Sequence, residues 1–202
     1  MLYSKAAREL DSHDMARMNV GKKFWYVTLD AVPDTAGYKA VLAKYLENLE
    51  ARIHDGVGLF LTGPMRGGKT SASVVVAKHL VSHGGTAYFI RADGLQSAFM
   101  EHQRFDEDYS VVDRMRDVDL LVIDDMGQEY AKEFGGSAVE KLVRWRHDMQ
   151  KALVVTTNMT VKEFEAKYGP GVRKVLGGMC ITVAVDCPEW YRAEVDKMRS
   201  LA

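Results

Sequence analysis

The eight residues Gly63-Pro-Met-Arg-Gly-Gly-Lys-Thr70 limit what this chain can fold into more than any other stretch. They satisfy G-x-x-x-x-G-K-[ST] in full, a pattern whose small residues let successive backbone N–H groups converge on phosphate oxygens. A helix starting near the lysine turns the positive end of its dipole toward the same anion. The pattern needs a strand before it and a helix after it, and both are legible. Gly58–Thr62 (GLFLT) is a short apolar run, and Thr70–His83 reads as a helix that stops at Gly84-Gly85.

The alternation continues downstream. Thr86–Arg91, Val118–Asp124, Ala152–Thr157 and Ile181–Val185 read as strands. Helices are expected over Ala92–Glu101 and Ser137–Lys151, and a third opens on the capping box Thr160-x-x-Glu163 and ends at Gly169-Pro170. His102–Tyr109 reads as a loop. Upstream, Tyr38, Val41, Leu42, Tyr45, Leu46, Leu49 and Ile53 recur at spacings of three and four, which predicts one long amphipathic helix. Strands alternating with helices imply an α/β fold: a parallel sheet covered on both faces, with right-handed crossovers.

Two further strand tips carry chemistry. Leu120-Leu-Val-Ile-Asp124-Asp125 is an apolar strand ending in adjacent carboxylates, which are costly to bury without a cation to pair them. Thr70 and Asp124 are the candidates to hold a Mg²⁺ ion. Asp125 is the candidate to orient or deprotonate an attacking water. Val154-Val-Thr-Thr-Asn158 ends in Asn158, which is placed to touch the terminal phosphate and that water; its other reading is a turn residue ahead of the Thr160 cap. Gly63, Pro64, Gly67, Gly68, Lys69, Thr70 and Ser71 are the candidate nucleotide-binding residues, with Lys69 neutralising the terminal phosphates. All three tips lie at the C-terminal ends of strands, where open parallel sheets place their ligands. ATP and Mg²⁺ are the expected cofactors.

Composition bounds the rest. A chain of 202 residues, 47% apolar and 27% charged, is too rich in core-forming residues to be disordered. It suits one domain and an arm, expected as residues 23–202 and 1–22. Lysine and arginine number 27 against 28 acidic residues, which excludes a bulk electrostatic nucleic-acid binder but leaves room for a local basic face. No apolar run approaches the ~18 residues of a membrane span, and residues 1–14 lack the apolar stretch of a signal peptide. Cys180 and Cys187 match no metal or redox spacing, so a reducing, cytoplasmic setting is expected.

Gly63–Thr70, Leu120–Gly127 and Val154–Asn158 resemble the Walker A, Walker B and sensor-1 elements of AAA+ ATPases. Ala92-Asp-Gly-Leu-Gln-Ser-Ala-Phe, Val118–Gly127 and the closing Glu189-Trp-Tyr-Arg192 are similar to the bacterial helicase-loader branch, the DnaC/DnaI type, and its relative IstB from insertion sequences. The resemblance runs from about Phe24 to Arg192. It implies a P-loop NTPase fold, an αβα sandwich with a five-stranded sheet in the order 5-1-4-3-2 and no full lid domain. It also implies ATP-dependent self-assembly, in which an arginine of one subunit reaches the γ-phosphate held by its neighbour. The partners implied are a replicative helicase and single-stranded DNA, or, for IstB, duplex DNA and a transposase.

The chain departs from that pattern in three places. Arg66 stands where the family's loops carry glycine. Asp125 stands where ATPases of this class usually have glutamate, although IstB-like members share the Asp-Asp form; the shorter side chain predicts slow turnover. The arginine-finger position falls on Val175 and a neighbouring family arginine on Gly171, so Arg173 is the candidate finger, with Lys174 beside it. Loaders carry a separate helicase-binding domain, a role that would here fall to the short arm.

Lys141, Arg144 and Lys151, with Arg146 and His147 close by, form a basic helix side that reads more readily as a solvated or subunit-contact face than as a DNA contact. Phe99 and Phe105 are candidates to stack on bases, Phe99 equally for the core. Phe24, Trp25 and Tyr26 fall where the family forms its adenine pocket. His79, His83 and His102 show no metal-ligand spacing. The leading expectation is an ATPase that loads or remodels a replicative helicase on DNA. The alternatives are an IstB-like regulator of a transposase, an ATP-binding module with little turnover, and a small-molecule P-loop kinase, for which no arginine-rich lid or acceptor pocket is visible.

Overall fold

The apolar runs are buried on both sides because helices sheathe both faces of one sheet. A computed structural model of the chain describes residue 3 and residues 6–104, 110–127 and 135–187. The strands are β1 (Gly58–Thr62), β2 (Ala87–Arg91), β3 (Leu120–Met126), β4 (Ala152–Thr157) and β5 (Cys180–Ala184). They lie in the order β2-β3-β4-β1-β5, every pairing parallel, which is the expected order counted from the other edge.

Successive strand residues point to opposite faces, so each strand feeds two cores. Leu59, Leu61, Val122 and Val154 pack on one face against Ala72 and Val76 of α4 (Lys69–Ser82). Phe60, Leu121, Ile123, Leu153 and Val155 pack on the other against α7 (Gly135–Asp148) and α8 (Val161–Met179). There Phe60 and Phe164 meet edge to face with centroids 5.0 Å apart. Truncating either ring to alanine costs about 3–5 kcal/mol. No helix among the described residues is long and apolar enough to cross a membrane.

Several boundaries differ from the sequence expectation. The long helix expected over residues 38–53 is two helices, α2 (Tyr38–Glu47) and α3 (Leu49–His54), broken at Asn48 (φ −116°, ψ 25°). Asparagine favours such breaks because its amide competes for backbone partners, and Nδ2 of Asn48 donates to the Lys44 carbonyl at 3.4 Å. Val41, expected on the buried stripe, is 43% exposed. The helix α5 (Ala92–Arg104) takes in the start of the expected loop, while residues 105–109, with the stacking candidate Phe105, lie outside the described residues. So does Glu189–Arg192. Phe99 packs partly buried against the second core. A short helix not picked out by the periodicity, α6 (Val111–Asp117), follows a capping box of Ser110 and Asp113.

Thr160 and Glu163 do form the expected capping box of α8. That helix breaks at Gly169, whose φ of 86° is left-handed, and resumes on Pro170 to run on to Met179. Proline starts a helix well because its missing N–H is not needed there.

At the β2 edge, the segment after α1 (Ser12–Arg17) covers the strand. The Phe89 N–H donates to the Met18 carbonyl at 2.8 Å, and Nδ2 of Asn19 donates to the Phe89 carbonyl at 2.9 Å. Met15, Met18 and Val20 are buried in the first core.

Arg146 corrects the expected basic helix side, because it is fully buried. Its guanidinium donates to the carbonyls of Met115, Arg116, Val118, Asp119 and Ala152 at 2.7–3.2 Å, tying α6 to the starts of β3 and β4. Lys151, half-buried, donates to the Asp117 carbonyl at 2.5 Å in a solvent-exposed hydrogen bond. Arg144 pairs with Glu140 at 2.7 Å.

Candidate functional site

The loop between β1 and α4 is shaped by what lies behind it. A Cβ on Gly63 would come within 2.1 Å of the Val185 carbonyl oxygen, and one on Gly67 within 2.6 Å of the same atom. The chain leaving β5 thus presses against the loop from below, and only glycine fits at both positions. Arg66 takes a left-handed φ of 64°, uncommon for a residue with a side chain. Pro64 is exposed and Ser71 is buried at the start of α4. Lys69 is only 5% exposed, and its ammonium donates to the carbonyls of Gly63 and Pro64 at 3.0 and 2.6 Å. Burial lowers its pKa, opposed by the charges of Asp125, Asp124 and Asp186.

The carboxylate pair owes its placement to an irregularity in the sheet. Ile123 pairs with Val155 and Met126 with Thr157, so β3 carries one residue more than β4 across this interval. That is a bulge, with Asp124 and Asp125 together facing Thr156. Asp125 has a left-handed φ of 57°. In a regular strand two consecutive side chains would point to opposite faces; the bulge breaks that rule at the sheet's C-terminal end.

One buried hydroxyl fastens the bulge. Thr156 Oγ1 donates to Asp124 Oδ1 at 2.6 Å and accepts the Asp125 N–H at 2.9 Å. The Thr70 hydroxyl donates to Asp124 Oδ2 at 3.2 Å, so both carboxylate oxygens are held. Asp124 is 3% exposed, and burial raises its pKa above the ordinary carboxylate value; the Thr156 hydrogen bond opposes this and the charge of Asp125 adds to it. Asp125 is more open, with Arg91 Nη2 4.0 Å from its Oδ2.

Asn158 follows directly on the row in which Met126, Thr157 and Thr62 are neighbours, and is half-buried. Thr62 Oγ1 donates to the Met159 carbonyl at 2.7 Å, which fixes the turn that carries Asn158. Beside the carboxylates a cleft of about 590 Å³ opens toward the β2 edge, lined by Thr70, Asp124, Asp125, Arg91 and Phe24 among others. Trp25 is half-buried and Tyr26 is 85% exposed.

Arg173 does not join this cluster. It lies half-buried on the far part of α8, where its charge acts on Cys180 at the opposite end of the sheet. Its Nε is buried and has no hydrogen-bond partner among the described residues. The Cys180 thiol there is pushed up to about 12 by burial.

Thr156 and Arg91 were missed in the sequence. Thr156 reads as one of six buried strand residues, and only the bulge gives it two acidic neighbours. Arg91 had a signal: it ends a strand adjacent to the one that ends in Asp124, and the two are in register.

Among the described residues no cluster of three or more His, Cys, Asp or Glu can hold a metal unaided. The donor set of Thr70 and Asp124 instead suits Mg²⁺, which is held by one or two protein oxygens together with phosphate and water.

The chain is similar to known proteins in sequence and in fold. In sequence the chain is 23% identical over 168 residues to an insertion sequence ATP-binding protein, y4iQ/y4nD/y4sD, of Sinorhizobium fredii (strain NBRC 101917 / NGR234). The alignment covers 83% of this chain and 55% of that protein, so the chain spans about half the length of the curated relative it matches. In fold it is similar to the DnaC helicase loader (TM-score 0.75, 18% identity, 82% of this chain and 100% of that one). It is also similar to DnaI (TM-score 0.72, 15% identity, 88% and 98%). AMPPCP-bound DnaA from Aquifex aeolicus has the same core (TM-score 0.67, 20% identity, 86% and 54%). Residues 34–174, which hold the phosphate loop, the bulged carboxylates and the Asn158 turn, match the family described as IstB-like ATP binding protein, and the chain belongs to that family.

Proposed function

We propose that this protein binds Mg·ATP at the β1–α4 loop, hydrolyses it slowly, and uses the nucleotide state to control self-assembly and the engagement of an insertion-sequence transposase on DNA. The observation that carries the reading is the hydrogen-bonded chain Thr70–Asp124–Thr156–Asp125 beside an inward-turned Lys69. The Lys69 ammonium rests on the loop's own carbonyls, weak acceptors that phosphate oxygens would replace. Thr70 and Asp124 would hold Mg²⁺, which when bound offsets the negative charge on the phosphates. Asp125 orients the water, with Arg91 setting its rotamer, and Asn158 contacts the γ-phosphate. Positioning and charge compensation account for the catalysis. Arg173 is the proposed contact to the γ-phosphate of a neighbouring subunit.

A second reading, loading of a replicative helicase, is favoured by the likeness to the DnaC helicase loader over that whole chain. Phosphate release should be followed for the wild type, Lys69→Ala and Asp125→Asn, with single-stranded and duplex DNA. Expected are DNA-stimulated release by the wild type, ATP binding weakened at least ~100-fold by Lys69→Ala, and normal ATP binding with at least ~tenfold slower release by Asp125→Asn. Wild-type turnover by Asp125→Asn would overturn the proposal. Co-sedimentation with a transposase or with a hexameric helicase then decides between the partners.

A further inference from the structure

A broad concavity among the described residues lies away from the phosphate loop. It runs between the N-terminal segment, the stretch 25–29, the α2–α3 corner and the last turns of α4, and encloses about 1170 Å³. A small-molecule pocket needs roughly 300–1,000 Å³. Leu10, Trp25, Leu29, Leu46 and Leu80 supply apolar lining. Tyr26 stands on its border 85% exposed, an amphipathic aromatic of the kind that anchors protein contacts.

Among the described residues that line this groove, the exposed charges are acidic. Glu9, Asp11, Glu47 and Glu50 line it and are all exposed. The cation among its lining residues, Lys78, is turned inward, donating to the carbonyls of Trp25 and Val27 at 2.6 and 2.7 Å. His79 is held toward its neutral form, chiefly by burial and then by His83. An acidic rim repels nucleic acid phosphates and attracts lysine and arginine.

We infer that this groove is a docking site for a basic, amphipathic peptide segment of a partner protein, whose apolar side chains fill the lining while its lysines or arginines meet Glu9, Asp11 and Glu47. This is the helix-in-groove mode of recognition, in which apolar anchors recur at helical spacing and flanking charges set the choice of partner. The site goes beyond the nucleotide reading and does not rest on it, since docking here requires neither ATP binding nor turnover.

The test uses the full chain and a fluorescein-labelled synthetic peptide of leucine and lysine in helical spacing. Its controls are the same peptide with every lysine replaced by glutamate, and one with every leucine replaced by serine. Fluorescence anisotropy should show at least tenfold tighter binding of the Leu/Lys peptide than of either control. The double variant Glu9→Lys/Glu47→Lys should weaken that binding at least tenfold and gain affinity for the Leu/Glu peptide. Tyr26→Ala, which removes an exposed side chain and leaves the fold intact, should weaken it about fivefold. Equal binding by the wild type and both variants, equal binding of the Leu/Lys and Ser/Lys peptides, or displacement by an oligothymidine would overturn the inference. ATPase activity measured on the same samples separates a failure here from a failure of the nucleotide reading.

Discussion

The two ends of the sheet both bury charge, and they do so for opposite purposes. At the N-terminal end of β3 and β4, Arg146 is fully buried and its five hydrogen bonds all go to carbonyl oxygens of the protein itself. At the C-terminal end, Lys69 and Asp124 are almost as deeply buried, yet their partners are a loop's carbonyls and two hydroxyls. A guanidinium with that many internal acceptors is closed to any ligand. An ammonium on weak neutral acceptors and a carboxylate next to a second carboxylate remain open to exchange, because a phosphate and a cation offer each of them a stronger partner. Burial alone therefore does not mark a site; burial with replaceable partners does.

Removing the closed cation should have the largest effect. Arg146→Met leaves five carbonyls without their donor and should cost about 3–5 kcal/mol, seen in thermal unfolding as a Tm fall of roughly 10 °C. ATP affinity of the protein that stays folded should be unchanged. The open end should answer in reverse. Lys69→Ala should weaken a fluorescent ATP analogue at least ~100-fold, about 2.7 kcal/mol, while unfolding stability moves by less than ~1 kcal/mol. If both variants lose stability alike, the two ends do not differ in the way described.

A smaller effect sharpens the role of the bulge. Thr156→Val keeps the shape but takes the donor from Asp124 and the acceptor from the Asp125 N–H. Stability should fall by ~1–2 kcal/mol and turnover about tenfold, with ATP affinity within threefold of wild type. Thr156→Ser should restore turnover. The smallest effect concerns pH. The folded pKa of Asp124 is raised, so the folded protein holds its proton longer than the unfolded chain does. Ionising this group costs stability as pH rises through the ordinary carboxylate range and beyond. Asp124→Asn should therefore stabilise the nucleotide-free protein at pH 7 by up to ~1 kcal/mol. The gain should shrink as pH falls toward about 4.

Much of the phosphate end was legible because its signals are local. The loop motif spans eight residues, and β4 begins and ends at Ala152 and Thr157 as its apolar run does. The bulge was not legible: it depends on how two distant strands fall into register, and no spacing within Leu120–Asp125 records that. The burial of Arg146 did leave a trace. Val139, Leu142, Val143 and Arg146 recur at helical spacing and all four are buried, so the arginine continues an apolar stripe. Reading it as one more surface cation followed from its type and overlooked its position. Asn48 shows the converse, since periodicity reports which face a residue takes and is blind to a break that keeps both halves on that face.

The proposed assembly switch is a triphosphate at the Lys69 loop. Its most direct test is the molar mass of the wild type and Lys69→Ala by light scattering, each without nucleotide, with Mg·ATP and with Mg·ADP. The account predicts a larger species for the wild type in Mg·ATP alone and one unchanging mass for the variant. A wild type that binds ATP at an unchanged mass, or a variant that assembles as the wild type does, would contradict it.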